Sequence, residues 1–289
     1  MTHPGIWLMR GLATLPLPVL RTLGAGLGRV LFVLARRRRR IALINLALCF
    51  PAWSEAERLR VARQSFIGFA QSFVDRAWVW HAPPEVVRAR IRLTGAVDEL
   101  RKPQAAVLFA PHFYGMDAGG AAIMQQAVKT GGSIYSPQKH AATDAWIRAG
   151  RERFGDVVLI NRQDGVKPVV KSLREGRYLY LLPDMDLGPD ESVFVPFFGI
   201  PAATVPALAR LARLGRARVV PAVTRMTPAG YEVRIDPAWA NYPSSDVVAD
   251  TALMNERLEH WIRTMPEQYY WVHKRFKTRP PGEAGVYER

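Results

Sequence analysis

His112 and Asp117 stand five positions apart in "FAPHFYGMDAGG" (residues 109–120), two polar groups in apolar and glycine-rich surroundings. An imidazole held at one ring nitrogen by a carboxylate becomes more basic at the other, which can then take a proton from a hydroxyl. With Gly115 between them, the offset allows a turn or helix start in which Asp117 folds back on His112. A substrate that brings its own hydroxyl makes a covalent nucleophile unnecessary. The spacing alone is weak, because a histidine capping a helix beside an aspartate in its first turn would produce it too.

Other groups add to this pair. Asp184 and Asp186, in "PDMDLGPDE", follow an apolar run; a D-x-D there could suggest a metal, though the spacing of a calcium loop is not met. Asp186 suits a turn with local hydrogen bonds. Arg162, in "NRQDG", could grip a phosphate bidentately or pair with Asp164 on the surface. Lys274, Arg275, Lys277 and Arg279, interleaved with Trp271 and Phe276, suit an anionic ligand, a single-stranded nucleic acid or a solvated tail. No G-x-S-x-G elbow is present, which argues against a serine hydrolase. Cys49, the single cysteine, excludes a disulfide framework and a multi-cysteine zinc site, fits a reducing compartment, and is poorly placed as a nucleophile.

These residues need a scaffold, and the pattern predicts one. Ser54 and Glu57 form a capping box ahead of a helical stripe that ends at Pro83 and Pro84. Apolar runs at 105–110, 132–135, 157–160, 178–182 and 218–223 then alternate with helix-like stretches at 119–128, 143–154, 166–175 and 205–214. That alternation predicts an α/β fold with a mostly parallel central sheet flanked by helices. Residues 231–237 suit an antiparallel edge strand, and 246–263 a last helix. His112 and Asp184 both follow predicted strands, where open α/β sheets bind ligands. Phe194, Phe197 and Phe198 could wall an apolar chain or belong to the core.

With 289 residues, 49% of them hydrophobic, the chain can bury a substantial core. Its net charge of +15 points to anionic company. Residues 5–35 are apolar but interrupted by Arg10, Arg21 and Arg29 and broken by Pro16 and Pro18, and five arginines (36–40) follow. No signal-peptide cleavage pattern appears. The composition predicts an interfacial helical anchor over residues 1–40, its arginines reaching the phosphates of anionic lipids on the cytoplasmic side; a core helix followed by a solvated basic turn would have the same composition. Residues 41–289 then form a single domain whose helical lead-in is 41–84. No nucleic-acid motif is found, and none is expected as partner.

In its conjunction of motifs the chain resembles the late, or secondary, acyltransferases of lipid A biosynthesis. "PHFYGMDAGG" is similar to the H-x4-D/E motif of glycerolipid-type acyltransferases. "INLALCFP" (44–51), "NRQDG" (161–165), "LPDMDLGPDESVFVPFFG" (182–199) and "PEQYYWVHKRFKTRPPGE" (266–283) continue the likeness in the same order. Many members have glutamate where this chain has Asp117. The resemblance implies transfer of a lauroyl or myristoyl group from acyl carrier protein to a hydroxyacyl chain of a Kdo-lipid A precursor at the inner membrane, without a cofactor or a metal. It makes His112 the general base and Asp117 its partner, and gives Arg162, Asp184 and the basic residues 274–279 to substrate. A lysophospholipid or other glycolipid acceptor, or a non-enzymatic basic membrane- or nucleic-acid-binding protein, would also fit the residues read one at a time.

Overall fold

The computed structural model describes residues 4–128 and 130–287; the outermost ends of the two predicted units, 1–3 and 288–289, lie outside the described residues. Four helices lead: α1 (Pro4–Leu12), α2 (Leu17–Leu34), α3 (Arg36–Cys49) and α4 (Glu55–His81). The predicted capping box starts α4: Ser54 Oγ accepts from the Glu57 N–H, and the Glu57 carboxylate accepts from the Ser54 N–H. Glycines set the distance between α2 and α4. A Cβ on Gly24 would lie 2.7 Å from the Gln71 Cα, and one on Gly28 would lie 2.5 Å from the Ile67 Cα.

Packing changes the expectation for the N-terminal arginines. Arg21 turns inward to a buried Asp75 at 2.9 Å rather than outward to lipid. The five arginines form the first turns of α3 rather than a solvated turn. Positive charge at a helix N-terminus opposes the helix dipole, so this run is there despite local helix energetics. Outward-facing Trp7, Leu8, Val19, Leu23, Leu27, Val30, Val33 and Leu34 leave one side of α1 and α2 apolar and exposed. By length and composition α2 could cross a membrane.

Then come α5 (Pro84–Arg90), β1 (Ile91–Gly95), β2 (Ala106–Phe109), α6 (Met116–Gln126), β3 (Thr130–Tyr135), α7 (Ala141–Arg151) and β4 (Asp156–Asn161). They are followed by α8 (Lys167–Arg174), β5 (Tyr178–Leu181), the hairpin β6 (Val193–Phe197) and β7 (Ile200–Thr204), α9 (Ala207–Gly215), β8 (Arg218–Thr227), β9 (Gly230–Ile235) and α10 (Val247–Thr264). The sheet order is β1-β9-β8-β2-β5-β3-β4. β8, β2, β5, β3 and β4 are mutually parallel. β9 runs antiparallel to β8, as predicted, but it is not an edge, because β1 pairs outside it.

Helices cover both faces. Val107 and Phe109 of β2 pack with Leu179, Leu208 and Leu211 on one side. Ala106 and Leu108 pack with Trp78, Ala122 and Ile123 on the other. A strand buried on both faces must be apolar throughout, and all four residues of β2 are buried.

Candidate active site

The parallel pairing of β2 and β5 aligns Phe109 with Leu181, the last residue of each strand. Three residues beyond each lie His112 and Asp184, so the two meet at the carboxyl edge of the sheet. The Asp184 Oδ1 lies 2.7 Å from the His112 Nδ1, and its Oδ2 accepts the His112 backbone N–H at 3.0 Å. A carboxylate only accepts, so Nδ1 carries the proton and Nε2 presents a lone pair. Asp184 is fully buried. Burial opposes its charge, but the His112 imidazole and the hydrogen bonds outweigh this and hold its carboxyl below the usual range. Nε2 has no hydrogen-bond partner among the described residues.

Asp117 does not fill the partner role expected of it. Gly115, at φ 90° with its Cα against the Tyr231 ring, turns the chain into α6. Asp117, in the first turn of that helix, then faces α4 and the end of α7. Its Oδ2 accepts from the Arg76 Nε at 2.8 Å and its Oδ1 from the Arg151 Nε at 3.0 Å. Burial would raise its pKa, yet the two guanidiniums hold it below the ordinary value. No hydrogen bond joins Asp117 to His112 among the described residues. Neither Arg76 nor Arg151 was singled out in the sequence; both lie in ordinary helical patterns without a local signal.

Two cavities meet here. One of about 850 Å³ runs beside His112, Met116, Arg151, Arg162 and Leu187. A second, of about 320 Å³, is lined by Phe69, Phe73, Arg76, His112 and Tyr270. His112, Met116, Asp117 and Met185 line both, so the free imidazole nitrogen stands where two chains could meet. Arg162 begins a short turn directly after β4, exposed and without an ion pair to Asp164 among the described residues.

The C-terminal basic residues are elsewhere. Arg275 is buried and donates to the Ala203 carbonyl at 2.8 Å and the Thr204 Oγ1 at 2.7 Å, fastening the chain end to β7. Arg279 donates to the Pro201 carbonyl at 2.6 Å and pairs with Glu283. Lys274 lies over the Tyr287 ring and Lys277 is exposed. None of the four lines either cavity, so the assignment of these four to substrate is not carried by the geometry. Asp186 is likewise structural: it accepts from Gly188 and Thr278, while its N–H donates to the His273 Nε2. Burial and then Arg275 push His273 down to about 4, which suits an accepting, neutral imidazole. Cys49 is buried and its thiol is pushed up by burial, which disfavours the reactive thiolate. Phe197 is core, and none of Phe194, Phe197 and Phe198 lines either of these two cavities.

Residues 1–278 match the family model described as bacterial lipid A biosynthesis acyltransferase. The chain is 35% identical over 304 aligned positions to the lipid A biosynthesis myristoyltransferase of Escherichia coli (strain K12), covering 99% of this chain and 92% of that protein. Against the lipid A biosynthesis lauroyltransferase of the same organism it is 32% identical over 294 positions, covering 99% and 94%. The crystal structure of the 1-acyl-sn-glycerophosphate acyltransferase PlsC from Thermotoga maritima aligns with a TM-score of 0.40 and 15% identity, over 79% of this chain and 98% of that one.

Proposed function

Because this chain belongs to the bacterial lipid A biosynthesis acyltransferase family, we propose that it moves a lauroyl or myristoyl group from acyl carrier protein to a hydroxyl of a hydroxyacyl chain on a Kdo-lipid A precursor. His112 acts as general base. Its Nε2 takes the proton of the acceptor hydroxyl, whose oxygen attacks the thioester carbonyl. Collapse of the tetrahedral intermediate expels the thiolate, which recovers that proton from the imidazolium. Asp184 holds the imidazole in the tautomer this requires and stabilises the imidazolium that forms.

One observation carries this reading: a histidine with Nδ1 held at 2.7 Å by a buried carboxylate and Nε2 open where two cavities join. The cavities supply room for the donor chain and the acceptor chain. Arg162, on the wall of the larger one, is a contact for anionic substrate. For location, the exposed apolar side of α1 and α2, next to the arginine run at 36–40, fits the cytoplasmic face of the inner membrane. Basic clusters gain about 1 kcal/mol per residue near anionic lipid.

The test offers detergent-solubilised protein a series of acyl carrier protein thioesters, with either a tetra-acylated Kdo-lipid A precursor or a lysophospholipid, and reads products by mass spectrometry. Wild type gains one acyl mass on the lipid A precursor, and His112→Ala loses about a thousandfold in rate. Transfer to the lysophospholipid alone would overturn the acceptor, and near-normal turnover by His112→Ala would overturn the base.

A further inference from the structure

With the basic residues 274–279 away from both cavities, a different group of cations faces the reacting centre. Arg76 lines the smaller cavity, Arg151 the larger, and Asp117 lies between them on the wall of both. Asp117 takes the Nε and Nη2 of Arg76, each at 2.8 Å, on one oxygen, and the Nε of Arg151 at 3.0 Å on the other. Arg76 also lies over the rings of Phe73 and Trp80, and Arg151 over Tyr135. Both guanidinium planes are therefore fixed from two directions.

Two guanidiniums against one carboxylate leave a residual charge of about +1. The Arg76 Nη1 and both Nη atoms of Arg151 make no hydrogen bond among the described residues, and none of them is a buried orphan. These donors are accessible, on residues that line the cavities. Preorganised guanidinium donors match the oxygens of a phosphoryl group.

We infer that Arg76 and Arg151, spaced by Asp117, form a clamp for a phosphoryl oxyanion of the substrate and so position the acceptor hydroxyl at His112. This rests on the acyl-transfer reading given above. The oxyanion could come from the sugar phosphates of the acceptor or from the phosphodiester of the carrier's prosthetic arm. Two amide-linked spacers separate that phosphodiester from the thioester, so the acceptor, whose phosphates sit on the sugars bearing the reacting chain, is favoured.

The experiment measures KM and kcat for wild type, Arg76→Gln, Arg151→Gln and Arg151→Lys. The acceptor is the phosphorylated precursor or the same lipid after phosphatase treatment; the donor is acyl carrier protein thioester or an acyl cysteamine thioester that lacks the phosphodiester. Both glutamine variants should raise KM for the phosphorylated acceptor about tenfold or more, change kcat less than about threefold, and leave KM for the dephosphorylated acceptor as in wild type. Arg151→Lys, which keeps the charge, should recover part of the loss. If the penalty instead follows the donor's phosphodiester, the clamp stands with the donor as its source. Equal changes on every acceptor and donor, or none, overturn it. Calorimetric binding of both acceptor forms without donor reads the same clamp independently of turnover. A Kd raised about tenfold in Arg151→Gln for the phosphorylated form alone supports the clamp even if transfer to this acceptor fails, and an unchanged difference between forms, with no kinetic penalty on the donor's phosphodiester, overturns it.

Discussion

Single residues behaved unequally. His112 and Asp184 were both legible as polar groups at strand exits, but their contact was not, because it depends on β2 and β5 being neighbours across 72 positions of sequence. Asp117 carried the more conspicuous spacing, yet the turn at Gly115 aims it at two arginines. Arg275 was read as a substrate contact because charge next to aromatic residues has the same appearance on a surface and in a buried tie. Its burial and its bonds to Ala203 and Thr204 make it structural. Arg275→Ala leaves those acceptors without their charged donor and should cost about 2–4 kcal/mol in a denaturant titration. Lys277→Ala, at an exposed position, should stay within about 0.5 kcal/mol. Equal small effects would return Arg275 to the candidate ligands.

At the scale of elements, periodicity and capping carried far. The helices predicted at 119–128, 143–154, 166–175, 205–214 and 246–263 all form, with ends shifted by a few residues. Two things escaped. β1, "IRLTG", is short and carries an exposed Arg92. The β6–β7 hairpin contains the paired Pro196 and Pro201, and proline argues against a strand by removing a backbone donor. The close approach of α2 to α4 also depends on residues that give no apolar signal. Gly28→Val would drive a side chain into the Ile67 backbone and should destabilise by about 1–3 kcal/mol. Gly26, with nothing within 4 Å of its built Cβ, is the control: Gly26→Ala should be neutral or gain up to about 1 kcal/mol through helix propensity. A tolerated Gly28→Val would mean that α2 is not held against α4 as described.

The whole molecule joins three features that the sequence presented separately. The parallel sheet brings its strand exits to one edge, which collects His112, Arg162 and Asp184. Helices α4, α6 and α7 then surround that edge and shape the two cavities beside His112. On the proposed reading, the exposed apolar side of α1 and α2 is the surface that meets the lipid holding the acceptor. Fold class and reaction class were legible because they depend on periodicity and on motif order. The carboxylate that serves His112 depends on tertiary neighbours, and so needed the structure. Acyl transfer through a His112–Asp184 unit is the central claim, and a double-mutant cycle tests it most directly. Initial rates would be compared for His112→Ala, Asp184→Asn and the double variant, each checked for an unchanged fold by circular dichroism. Groups that act as one unit are not additive: Asp184→Asn should lose about a hundredfold or more, and adding it to His112→Ala should cost nothing further. Losses that multiply, or an Asp184→Asn enzyme close to wild type, would contradict the account.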